Sequence, residues 1–112
     1  MKVMDVITQC RKTLEVYYGS RLKGVLLYGS MARNQSEPES DIDLLVLLNP
    51  PFDFFSELRT IIELLYPIQL ESDQLISAKP ALSEDFEQGS IQLYRNIKRE
   101  GVKELGKDLN DH

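Results

Sequence analysis

The chain has 112 residues, of which 42% are hydrophobic and 28% are charged, and its formal net charge is −5. This length suits one compact domain, and the composition is typical of a folded globular chain rather than a disordered or membrane-spanning one. The longest apolar run, Leu44 to Leu48, is far shorter than the roughly 18 residues of a membrane span. The negative charge also disfavours a protein that binds nucleic acid directly through electrostatics.

The N-terminal segment and the cysteine content indicate a cytoplasmic protein. Asp5, Arg11 and Lys12 lie where a secretion signal would need an apolar core. Cys10 is the only cysteine, so no internal disulfide can form, and we interpret it as a small buried hydrophobe on a helix. A reducing compartment is the natural setting for such a chain.

The first half of the chain shows helical spacing, then two strand-like runs. In chain order, the pattern predicts a helix over 3–18, a strand over 23–28, a helical turn from Ser30, a polar loop over 34–40 and a strand over 41–48. The second strand is apolar on both faces beyond Asp43. That pattern predicts a central strand covered on both sides.

The second half continues the alternation of helices and strands. In chain order, we expect a helix over 53–66 capped by Asp53 and ended by Pro67, a strand over 68–77, a helical segment from Ser83 with a capping box, a break at Gly89-Ser90 and a helix over 91–99. In the 53–66 helix, Phe55, Leu58, Ile61, Ile62 and Leu65 are expected to face the core. The whole reads as one small α/β domain over residues 1–106 with a polar tail, 107–112.

The segment YGSMARNQSEPESDID, residues 28–43, contains the residues that suggest chemistry. Gly29 follows a strand and lets a ligand approach closely, while Ser30 offers a hydroxyl and an amide to phosphate oxygens. Asp41 and Asp43 share one face of the next strand, so their carboxylates can converge on a hard cation such as Mg²⁺. Each feature alone is as easily a turn or a solvated acid. Together, in this order, they predict a metal-assisted site for a nucleoside triphosphate.

At this point the chain resembles the DNA polymerase beta-like nucleotidyltransferases. Gly29-Ser30, ten intervening residues and Asp41-Ile42-Asp43 fit the signature of that superfamily. The resemblance to its minimal branch extends over roughly Val6 to Val102, including Met31-Ala32-Arg33 and the closing segment from Asn96 to Val102. One departure is Asn34, where many relatives have glycine.

The resemblance implies a small mixed β-sheet with flanking helices, and Mg²⁺ held by Asp41, Asp43 and a third carboxylate on the next strand. It also implies transfer of a nucleoside monophosphate from a triphosphate to a hydroxyl. Alternation puts Glu71 and Asp73 on the same face, and we favour Asp73 because it precedes an apolar pair as Asp43 does. Arg33 is a candidate phosphate ligand or a plain surface arginine.

Minimal proteins of this type are similar to antitoxins that adenylylate a tyrosine on a HEPN-domain RNase toxin. The resemblance therefore implies an ATP- and Mg²⁺-dependent protein adenylyltransferase, an antitoxin with a HEPN toxin as its partner, forming a homodimer or a hetero-oligomer. The alternatives are a non-catalytic binding module of the same fold and a dimeric small-molecule nucleotidyltransferase. Candidate docking elements are the basic strip Arg95, Lys98, Arg99 and Lys103 and the aromatics of 52–55, most of which are expected to be core.

Overall fold

The computed structural model describes residues 2–29, 41–100 and 103–104. Its elements, in chain order, are α1 (Val3–Tyr18), a 3-10 turn (Gly19–Arg21), β1 (Leu22–Tyr28), β2 (Ile42–Leu48), α2 (Phe54–Glu71), β3 (Ile76–Leu82), α3 (Ser83–Gln88), α4 (Gln92–Glu100) and β4 (Lys103–Glu104). The helical turn predicted from Ser30, the loop over 34–40 and the tail over 107–112 lie outside the described residues.

The four strands form one mixed sheet in the order β3-β2-β1-β4. Strand β1 is antiparallel to β2 and to β4, whereas β2 and β3 are parallel. A parallel pair needs a crossover connection, and α2 provides it by running back from the end of β2 to the start of β3. The predicted α/β fold with a small mixed sheet and flanking helices is therefore confirmed.

Strand β2 is buried on both faces, as its continuous apolar sequence predicts. On one face, Ile42, Leu44, Val46 and Leu48 join a core cluster with the apolar sides of α1 and α2. On the other face, Leu45 and Leu47 pack with residues of α3 and α4. The sheet is thus the middle layer between two pairs of helices, and a side chain on β2 can reach solvent only near the strand's ends.

A polar contact joins the first pair of helices, α1 and α2. The Tyr18 hydroxyl donates to Glu57 Oε1 at 2.8 Å, and Arg21 donates to Glu57 Oε2 at 2.7 Å. Burial, followed by the neighbouring Glu57 carboxylate, raises the pKa of the Tyr18 phenol above its ordinary value. Because the contact joins the end of α1 and the 3-10 turn to the start of α2, it sets where the β2–α2–β3 crossover begins.

The predicted end of the second helix and the predicted third strand are wrong. Helix α2 continues through Pro67 to Glu71, and β3 begins only at Ile76. A proline inside a helix removes one backbone donor, but here Ile61, Leu65 and Ile68 are buried on one side of α2. Their packing holds the last turn in place, so the tertiary contacts outweigh the local helix-ending signal of Pro67.

Of the predictions about helix caps and buried helix faces, one is confirmed and others are wrong. Asp53 caps α2, because its carboxylate accepts from the Ser56 amide at 3.1 Å, as predicted. The capping box at Ser83 is wrong, because Leu82 is the N-cap of α3 and makes no side-chain cap. Phe55 and Ile62 were expected in the core but are 73% and 57% exposed.

The thiol of Cys10 is fully buried in α1, as the sequence predicts, and burial raises its pKa to about 12. Such a thiol is protonated near neutral pH and packs as an apolar group. Across the described ranges, no helix combines the length and the apolar composition that a bilayer span requires.

Candidate active site

Three strands meet at one end of the sheet, the site edge, where β1 ends and β2 and β3 begin. Strand β1 ends at Tyr28, which pairs with Asp43 near the start of the antiparallel β2. Asp43 in turn lies opposite Ser77 near the start of the parallel β3. The register therefore brings Gly29, Asp41 and Asp43 to this edge, as the order of the residues in the sequence predicts.

Gly29 is needed because the carboxylate of Asp43 lies directly against it. Its φ of +77° belongs to the left-handed region that side chains disfavour. A Cβ atom at this position would overlap Oδ2 of Asp43 and lie 3.4 Å from its Cγ. Both the backbone angle and the close approach favour glycine, because an added Cβ would require the Asp43 carboxylate to move.

The carboxylate of Asp43 is in an unfavourable environment for its charge. Burial, and then the charge of Asp41, raise the pKa of Asp43, while the ammonium of Lys79 opposes that rise. Tyr28, its cross-strand neighbour, is partly buried, and burial together with the Asp43 charge raises the phenol pKa to about 12. The site is thus an acidic pair beside a neutral phenol, an arrangement that a bound cation would stabilise.

The donor set at this edge fits a hard divalent cation. Asp41 is exposed directly before β2, Asp43 is half-buried two residues later, and alternation places both on one face. Two carboxylates, with water and phosphate oxygens completing the shell, are typical ligands of Mg²⁺. Asp41 and Asp43 are the described residues that would hold such an ion.

The structure does not bring Asp73 together with this pair. Asp73 lies in the turn between α2 and β3, and Glu71 is the last residue of α2, so their predicted places on a strand are wrong. Within residues 2–29, 41–100 and 103–104, no three His, Cys, Asp or Glu side chains are grouped so that they could hold a metal ion. The role of Asp73 as third ligand stays a prediction, without the strand position on which it was based.

Ser30 and Arg33, predicted to contact phosphate, lie outside the described residues. Conversely, sequence reasoning missed three residues near Asp43, namely Tyr28, Ser77 and Lys79. Tyr28 precedes the Gly-Ser pair and was treated only as the end of a strand. Ser77 was the last residue of the strand predicted over 68–77, and Lys79 lay beyond it, so neither residue was placed opposite the start of β2.

Comparison with known proteins agrees with this geometry. The model of the family described as "Polymerase beta, Nucleotidyltransferase" matches residues 9–108. The chain belongs to this nucleotidyltransferase family. It is 33% identical over 105 residues to a Methanocaldococcus jannaschii protein named "Putative protein adenylyltransferase MJ0604", covering 90% of this chain and 96% of that protein. It is also 31% identical over 77 residues to "Putative protein adenylyltransferase MJ0141" of the same organism, covering 69% and 77%.

We expect Gly29→Ala to weaken metal binding at this edge, because the new Cβ forces the Asp43 carboxylate away. The matched control is Gly19→Ala, where φ is also positive (+57°) but no atom lies within 4 Å of the added Cβ. Both variants should lose about 1–3 kcal/mol of unfolding free energy from backbone strain. Only Gly29→Ala should lower Mn²⁺ affinity, by about tenfold or more, in a titration followed by electron paramagnetic resonance. Equal Mn²⁺ affinity in the two variants would contradict the coupling of Gly29 to Asp43.

Asp43→Asn should stabilise the metal-free protein at neutral pH. Because the folded-state pKa of Asp43 is raised, its ionisation costs the native state free energy, and the parent loses stability as pH rises through that pKa. In urea denaturation with EDTA, the free energy of unfolding of the variant should therefore exceed that of the parent at pH 7 and equal it near about pH 3. Asp73→Asn, an exposed acid outside the pair, is the control. A variant that is less stable than the parent at pH 7 is the opposing result.

Proposed function

We propose that this nucleotidyltransferase is a protein adenylyltransferase that uses ATP and Mg²⁺ and modifies a hydroxyl of a partner protein. The observation that carries the proposal is the Gly29–Asp43 contact beside Asp41, which places two carboxylates at an open sheet edge. Further support comes from the two curated relatives, which are both named as putative protein adenylyltransferases. The proposed setting is the cytoplasm.

The reaction requires the acceptor oxygen and the α-phosphorus to meet at this edge. The acceptor oxygen forms its bond to the α-phosphorus as the bond to the pyrophosphate oxygen breaks, and the hydroxyl proton passes by way of a site carboxylate to water. Asp41 and Asp43 would hold Mg²⁺, which when bound neutralises phosphate charge and orients the reacting oxygens. Gly29 leaves room for the Asp43 carboxylate in the required position, and Ser30 and Arg33 are the proposed phosphate ligands.

An exposed apolar row on α2 favours a protein acceptor. Its residues repeat at intervals of four along the helix and are all at least partly exposed; they are Phe54, Leu58, Ile62, Tyr66 and Leu70. Because α2 runs toward the start of β3, the row leads to Leu75, whose carbonyl accepts from the Ile42 amide at the site edge. Contiguous exposed apolar residues are typical of interaction sites.

The predicted basic strip is a weaker docking candidate. Arg95 donates to the Gly89 carbonyl at 2.7 Å, and Lys98 donates to the Glu87 carbonyl while its ammonium lies 5.2 Å from the Phe86 ring centre. These contacts join α4 to the end of α3. The aromatics are a stronger docking candidate. Phe54 and Phe55 are exposed, although they were expected to lie in the core. We propose that the acceptor is a HEPN-domain RNase toxin docked on the α2 row, with this chain as its antitoxin.

The catalytic proposal predicts that Asp41→Asn with Asp43→Asn abolishes transfer while the fold survives. Without either carboxylate the site cannot hold the ion that the reaction requires. Label transfer from ATP carrying a radioactive α-phosphate, with Mg²⁺ and the partner protein present, measures the effect. Glu63→Gln with Glu84→Gln removes two charges from exposed helix positions and should leave transfer unchanged. Transfer that persists in the aspartate variant contradicts the assignment.

The acceptor is identified by the mass of the partner. After incubation with ATP and Mg²⁺, a HEPN-domain ribonuclease encoded beside this chain should gain mass in steps of one AMP, located on tyrosine, and lose its nuclease activity. If the aspartate double variant silences the nuclease equally well and no mass is added, the non-catalytic binding module is the correct reading. Label found only on small molecules would support the dimeric small-molecule enzyme instead.

A further inference from the structure

The face of β3 that looks onto Asp43 carries no carboxylate. Ser77 lies opposite Asp43 in the parallel register, and alternation puts Lys79 on the same face. Ile76 and Ala78, which alternate with these two residues along β3, pack against the α1–α2 core on the other face. An acid on this strand that was to reach the aspartate pair would have to occupy position 77 or 79, and the chain places a hydroxyl and an ammonium there.

The side chain of Lys79 is directed back along its strand toward the site. Its Nζ donates to Ser77 Oγ at 3.2 Å, which brings the ammonium toward the edge where β2 and β3 begin. The residue is half-buried, unlike the solvated lysines that commonly protect an edge strand. The hydrogen bond to Ser77 therefore directs the ammonium of Lys79 along β3 toward the site.

Lys79 acts on the charge of Asp43 without forming an ion pair with it. Its positive charge opposes the rise in the Asp43 pKa, yet the two ion pairs among the described residues are Arg11–Glu15 and Arg21–Glu57. A lysine that served only to neutralise Asp43 would be expected to contact it directly. The spacing instead leaves the carboxylate able to take a second cation while the ammonium remains available to an anion nearby.

We propose that Lys79 is a phosphate-binding residue of the nucleotide site, standing where a third acidic ligand was expected, so that the site combines one metal ion held by Asp41 and Asp43 with one fixed ammonium. The inference rests on the proposed use of a nucleoside triphosphate. Lysine binds phosphate as a point charge on a flexible stem. In a chain of net charge −5, a polyanionic ligand needs such local positive charge.

The proposed contact is with the β- and γ-phosphates. These become pyrophosphate as the bond to the α-phosphorus breaks, and negative charge then accumulates on the leaving oxygen. In sites with two ions, the second ion neutralises that charge. With two grouped carboxylates in the described part of the chain and no third, the ammonium of Lys79 takes over this task, and one divalent ion per chain is sufficient.

Lys79→Gln tests the inference by binding, without any acceptor protein. Calorimetric titration should show ATP and ADP binding about tenfold weaker than to the parent, with Mg²⁺ and in EDTA alike, whereas AMP binding should change little. Lys79→Arg keeps the charge and should retain most of the ATP affinity. Lys23→Gln is the matched control, because Lys23 is an exposed lysine of β1 near the opposite edge of the sheet. Thermal melts should confirm that each variant is folded.

Metal stoichiometry gives an independent readout. Electron paramagnetic resonance with Mn²⁺ and a non-hydrolysable ATP analogue should count one ion per chain in the parent, in Lys79→Gln and in Asp73→Ala. Two ions in the parent with one in Asp73→Ala would overturn the inference and restore Asp73 as a ligand. Unchanged ATP affinity in Lys79→Gln would overturn it as well. Failure to find a protein acceptor would refute only the proposed function, because nucleotide binding is measured without one.

Discussion

The site depends on how strand β2 is paired on its two sides. Antiparallel pairing with β1 brings Gly29 against Asp43, and parallel pairing with β3 brings Ser77 opposite the same residue. Since strand side chains alternate, a shift of either pairing by one residue would turn the acids toward the α1–α2 core. The two apolar clusters that cover β2 prevent such a shift, so the core of the domain is also what positions its chemistry.

The same features that make the charge of Asp43 unfavourable would favour a bound cation beside it. Burial and the nearby Asp41 raise its pKa, which means that the ionised pair costs the fold free energy. A cation relieves that cost when it binds, because it interacts favourably with both carboxylates at once. The charge of Lys79 opposes this rise, but the pKa of Asp43 remains raised, so a bound cation would stabilise the pair further.

Local signals in the sequence were sufficient for one side of the site and insufficient for the other. Gly29, Asp41 and Asp43 belong to strand segments that follow one another in the sequence, so strand ends and alternation alone predict that they meet. The β3 side depends on where α2 ends, and Pro67 suggested an end five residues too early, at Tyr66 rather than Glu71. The buried Ile68 that keeps α2 helical there is a tertiary contact, which a local pattern does not reveal. Asp73 was consequently placed on a strand, and Lys79 was overlooked.

The position of β3 also bears on how a partner would reach the site. It ends the strand order of the described sheet, so one of its edges is unpaired within these residues, and an unpaired edge can accept another chain's strand. Pro80 removes a backbone donor from β3, which discourages strand addition. The apolar row of α2 has no such protection, and it leads to Leu75, at the end of the sheet where β2 and β3 begin. A partner is therefore better accommodated by side-chain packing against α2, as between helices, than by extension of the sheet.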